Sequence, residues 1–178
     1  MKTDLHSIIR SLVYASVCLA LCMVLPFLTG QIPQVGSALC PMHIPVLLAG
    51  FLCGPVWAAL VGAATPLLRF VLFGMPPLMP TGLAMVFELA AYGMAAGLLY
   101  RLLPKKPVNV YLALLGAMVC GRVVWGLAAK LVYGSLGMNF TWQIFAAGAF
   151  LNAIPGIILH IVLIPVLVLA LRRAKIIS

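Results

Sequence analysis

Apolar runs long enough to cross a bilayer recur from residue 7 to residue 171, and this limits the possible folds more than any single motif does. Hydrophobic residues make up 65% of the chain and charged residues only 7%, whereas a soluble domain carries about 25% charged residues. Water is therefore not the main solvent. The runs show no period-two alternation of apolar and polar residues, which argues against a β-barrel. The expected class is all-α: a polytopic membrane protein forming one domain over residues 1–178.

Glycine, proline and charge divide the runs into six candidate helices, at about 7–28, 43–53, 56–73, 81–103, 108–133 and 141–171. A polar loop with glycine and proline fills 29–42, and "GMPPLMP" makes a stiff turn over 74–80. Residues 43–73 read either as one kinked helix or as two short ones, and charge decides between them. With six transmembrane helices, Lys2, Arg10, Arg101, Lys105, Lys106, Arg172, Arg173 and Lys175 all face the cytoplasm, as do both termini. With five, the "RRAK" tail would lie outside, against that rule. The "LCGP" stretch is then a cytoplasmic bend. The first run is read as a span and not a cleaved leader, because the small-residue stretch "SVCLA" lies inside it.

Eleven Lys and Arg stand against Asp4 and Glu88, a net charge of +9. Most of these cations lie between apolar runs, which points to membrane topology and contact with anionic lipid. No Arg-rich helix, phosphate loop or aromatic RNA platform accompanies them, so nucleic acid is not an expected partner. The five cysteines include no CxxC spacing and read as packing residues, with no metal site and no disulfide indicated. No GxSxG, HExxH or Walker A motif occurs. With only two acids, carboxylate-pair catalysis is excluded. The chain is not expected to be an enzyme, and it must draw energy for any transport from elsewhere.

Few polar residues lie at membrane depth. Burying an Arg or Glu there costs about 2.5 to 3.5 kcal/mol on insertion scales, so such residues face the bundle interior. Arg69 lies near the outer end of the third helix, Glu88 and Tyr92 share a face of the fourth, and Arg122 and Trp125 lie in the fifth. Asn152 lies about three turns into the sixth. Glu88 can fasten helices by pairing with Arg122 or with Arg69. Either way one buried positive charge is left over, which a substrate carboxylate would neutralise through charge-assisted hydrogen bonds. Trp125 is a stacking candidate for a flat ring. His43 reads as a helix-entry residue, His160 as a packing residue and Trp142 as an interfacial anchor. Small residues at spacing four, including Gly50 with Gly54 and Gly93 with Gly97, permit close helix contact, internally or with a partner.

The six-helix plan, "MHIPVLLAGFLCGPVWAALVGAATPLL" (42–68) and "GMPPLMPTGLAMVFELAAYGMAAGLLY" (74–100) resemble the substrate-binding S component of an energy-coupling factor (ECF) vitamin transporter. The resemblance implies a vitamin-type ligand bound toward the outer side, beneath the loop that carries Gln31 and Gln34. It also implies a bacterial plasma-membrane location, a transmembrane coupling subunit and two cytoplasmic ATPases, and no cofactor. The first helix would dock the coupling subunit through Ser11, Ala15 and Leu19, with a serine and a leucine where alanines are usual. The arginine surplus favours a small carboxylate such as pantothenate. Thiamine precursors, pyridoxine-type vitamers, queuosine precursors, folate, riboflavin and cobalamin stay open within the family. The alternatives are a ligand-free structural protein of cell-shape machinery, and a membrane enzyme or independent transporter.

Overall fold

The computed structural model describes residues 5–29 and 32–177, and no strand occurs among them. Eight α-helices follow in order: α1 (Leu5–Val24), α2 (Pro33–Leu39), α3 (His43–Cys53), α4 (Pro55–Phe73), α5 (Leu83–Leu102), α6 (Pro107–Ser135), α7 (Trp142–Ala149) and α8 (Ile154–Arg173). Five segments are long and apolar enough to cross a membrane: Leu5–Leu28, Pro55–Phe73, Leu78–Leu102, Pro107–Ser135 and Trp142–Arg173. The short helix α3 is not among them. At about 1.5 Å per residue it reaches roughly half of a 30 Å hydrocarbon core.

Two boundaries depart from the sequence expectation. The connection 29–42 is not all loop, since α2 forms within it. The run 141–171 is not one helix. It breaks at Phe150 (φ −126°, ψ −65°) and passes through a 3-10 turn, Leu151–Ala153, before α8 starts. Pro155 supplies the cause. It has no N–H to donate to Leu151 and its ring crowds that carbonyl, so the helix must restart there.

Every residue of α3 except Leu52 is buried. A helix that is apolar all round belongs in the interior of a bundle, and α3 packs against α1, α4, α5 and α8. Helix α5 is the other central element, with α4 and α6 on its flanks. Glycines set these distances. A Cβ on Gly50 would lie 2.9 Å from the Gly93 carbonyl oxygen, and one on Gly97 would lie 2.6 Å from the Pro55 nitrogen. The small-residue pairs of α3 and α5 thus serve packing inside the bundle.

The α3–α4 bend turns on Gly54, whose φ of +86° suits a residue without Cβ. The Arg101 guanidinium occupies the space a Cβ would take. Ser7 and Ile177 line one hollow at this end of the bundle, so both described chain ends lie on the same side. Large apolar side chains such as Val17 and Val24 of α1, Val119 and Leu131 of α6, and Val162 and Val166 of α8 remain exposed, as a lipid-facing surface requires.

Candidate functional site

A cavity of about 520 Å³ opens at the opposite end of the bundle from Gly54. The 3-10 turn after α1 (Leu25–Thr29), the N-terminal ends of α3 and α5, the end of α4, the middle of α6 and the end of α7 build its walls. The two connections 29–42 and 74–82 cover it: Ile32, Gly36 and Cys40 approach from one, and Met75, Pro76, Pro77 and Thr81 from the other. Helix α2 is held where its last turn meets α8. A Cβ on Gly156 would lie 2.7 Å from the Ala38 carbonyl oxygen. Gln31 lies outside the described residues, and so does the side chain of Gln34.

Arg69, Glu88, Arg122, Trp125 and Asn152 all line this cavity. They come from α4, α5, α6 and the 3-10 turn before α8, so only the tertiary fold brings them together. Arg122 donates from Nη1 to Glu88 Oε1 at 2.9 Å. Both residues are buried, as groups this costly in hydrocarbon must be. Arg69 has no acid beside it among the described residues. It donates from Nη1 to the Met23 carbonyl at 2.8 Å, and its guanidinium lies 5.0 Å from the Phe73 ring centre and 5.7 Å from that of Phe27. A carbonyl and two π faces steady the charge without cancelling it.

Tyr92 stands behind the wall. It is 1% exposed, presses against Gly121 and meets the His43 ring edge-on at 5.0 Å. Trp125 is half-buried in an aromatic cluster, with Phe145 stacked at 6.0 Å and Phe140 edge-on at 5.9 Å. Asn152 is exposed on the 3-10 turn, not three turns inside a continuous helix.

His43 is the first residue of α3, the helix-entry position read from the sequence, but it also lines the cavity, which that reading did not foresee. Its Nε2 lies 3.5 Å from the same Glu88 oxygen that Arg122 engages. That is longer than an ordinary hydrogen bond, and neither ring nitrogen has a hydrogen-bond partner among the described residues. The His160 ring stacks behind it at 6.0 Å. Arg122 Nε is likewise buried without a partner among the described residues. The signal was present in "PMHIP", where a histidine opens an otherwise apolar helix. Met42, Met75 and Met85 add soft apolar surface. A few convergent polar groups in a largely apolar hollow are the features that small-molecule sites share in general.

On α1, Ala15 turns inward with Cys18 and Cys22, and Ser11 and Leu19 are half-buried. The face left open carries Leu12, Val13, Ser16, Val17 and Ala20. Ser16 satisfies its hydroxyl by donating to the Leu12 carbonyl at 2.9 Å, which makes it tolerable on an apolar surface.

Residues 10–168 match the family described as ECF transporter, substrate-specific component. The match covers most of the chain, and the chain belongs to that family. No curated protein and no solved structure shows significant similarity to it. Such components are substrate-capture subunits of importers and work with a membrane coupling subunit and ATPases; they are not an enzyme class. The chain is a multi-pass protein of the bacterial plasma membrane.

Proposed function

We propose that this substrate-specific component captures a small anionic micronutrient in the cavity at the Arg69 end and releases it to the cytoplasm through its coupling subunit and ATPases. One observation carries the reading: Glu88 takes up the charge of Arg122, while Arg69 lines the cavity with no carboxylate partner among the described residues. A ligand carboxylate supplies that partner through charge-assisted hydrogen bonds. His43 and Arg122 Nε offer further polar contacts, and the methionines and Trp125 take an apolar body. Pantothenate, with one carboxylate and a polar chain, suits this arrangement. A ligand-free structural protein would have no need of such a hollow.

In the orientation that goes with this function, α3 makes a sixth, shortened crossing. Arg10, Arg101, Lys105, Lys106, Arg172, Arg173 and Lys175 lie at the Gly54 end, which faces the cytoplasm together with both termini. The cavity then opens outward, with 29–42 as its cover. The open face of α1 around Ser16 and Ala20 docks the coupling subunit, with Ser11 and Leu19 at its edge and Ala15 supporting it from within.

The test is mass spectrometry of small molecules released from the purified chain, followed by calorimetric titration with pantothenate. The expected result is one anionic molecule per chain, bound without ATP. Release of a cationic or uncharged ligand, or none that binds again, would overturn the reading.

A further inference from the structure

The Gly54 end carries a second hollow, of about 360 Å³, that the capture of a nutrient does not use. Arg10 of α1, Arg101 at the end of α5 and Lys105 of the following turn all line it. No acid does, and Glu88, the described acid, lies at the other end of the bundle. Three cations therefore share one recess without a counter-charge among the described residues. Their positions are built. Arg101 lies across the space left by the missing Cβ of Gly54. Lys105 Nζ donates to the Tyr100 carbonyl at 3.0 Å and sits 3.6 Å from the Tyr100 ring centre. Arg172 Nη2 donates to the Lys105 carbonyl at 2.8 Å and so fixes the turn.

A second observation points to a ligand. Tyr100 lines the same hollow and is 5% exposed, yet its buried hydroxyl has no hydrogen-bond partner among the described residues. Leaving such a donor unpaired is costly. Trp57 and the exposed Ile8 complete the rim and give the recess an apolar margin beside the lipid-facing surface of α1. Burial, then the neighbouring charges of Arg172 and Arg101, push the Lys105 pKa down, the direction expected for cations crowded without an anion.

We propose that this recess binds the phosphate of an anionic phospholipid, with Arg10, Arg101 and Lys105 around the phosphate, the Tyr100 hydroxyl donating to it, and the acyl chains leaving past Ile8. A freely dissolved phosphate has the same headgroup chemistry. The apolar margin and the position at the membrane surface favour the lipid.

The test is native mass spectrometry of the purified chain in mild detergent, with phosphatidylglycerol or phosphatidylcholine added. One phosphatidylglycerol should be retained, with about tenfold preference over phosphatidylcholine. The R101Q/K105Q variant should abolish the preference and Tyr100→Phe should weaken it. Arg173→Gln, which removes an exposed cation outside the recess, should leave it intact. Tyr100→Phe also serves as the decisive variant if R101Q/K105Q does not fold. Equal retention of the two lipids, an equal loss in Arg173→Gln, or full displacement of phosphatidylglycerol by millimolar inorganic phosphate would overturn the lipid assignment. Titration with pantothenate should be unchanged in all three variants, which separates this site from the nutrient cavity.

Discussion

Arg122 and Glu88 meet at 2.9 Å across the α5–α6 interface, and the third buried charged residue, Arg69, is left to a carbonyl and two aromatic rings. This division of labour separates a charge that fastens helices from a charge that faces the cavity.

Replacing Arg69 by Gln removes the cavity's unmatched charge. A hydrogen bond to a charged group contributes about 1.5 to 3 kcal/mol, so affinity for the anionic ligand should fall roughly 10- to 100-fold. Arg69→Lys, which keeps the charge but loses the planar fork, should fall in between. Calorimetry on both variants checks this, with a thermal melt showing that the fold survives.

Glu88→Gln leaves Arg122 buried without its partner and should destabilise the bundle by about 3 to 5 kcal/mol. The double variant E88Q/R122Q removes both charges and should recover more than half of that loss. The comparison is a double-mutant cycle of melting temperatures in detergent. Additive losses would mean that the pair contributes little to holding α5 against α6.

A methyl group on Gly97 would collide with Pro55 backbone atoms where α5 crosses the start of α4. Gly97→Ala should cost about 1 to 3 kcal/mol through overpacking and lower the yield of monodisperse protein. Gly137 offers a control. Its φ is +69°, but no atom stands within 4 Å of the place a side-chain Cβ would take. Gly137→Asn, which tolerates that conformation, should therefore be nearly silent.

Ala15 and Ala20 of α1 should behave differently. Ala15→Leu forces a larger side chain into the buried face and should lower the melting temperature. Ala20→Trp alters only the open face. It should spare ligand binding by the isolated chain while reducing uptake by the assembled transporter. Normal uptake in cells carrying Ala20→Trp would move the docking surface to another helix.

Much of this architecture is legible in the sequence because hydrocarbon is an unforgiving solvent. Long apolar runs have to become helices, since no water is present to satisfy the backbone. Arg69, Glu88 and Arg122 have to turn inward, since their cost at membrane depth is high. The sequence was less informative about α2, whose Pro33 and Gly36 read as loop residues, and about the break before α8, where Pro155 marks a restart that a long apolar run concealed.

Which acid meets which arginine, by contrast, was open. Glu88 is 19 residues from Arg69 and 34 from Arg122, and neither spacing favours a partner. Each residue along a helix turns the facing direction by about 100°, so pairing depends on how far each helix is rotated and slid against its neighbour. Gly50, Gly93 and Gly97 set that rotation by letting backbones touch. The same contacts bring His43 beside Glu88, fold Ala15 inward and gather three cations around Tyr100. Composition and order of residues determined that the chain is a helical membrane bundle with charged groups inside. Only the docking of helix on helix decided which of those groups cancel one another and which is left without an acid partner among the described residues, because that outcome rests on contacts between segments far apart in the chain.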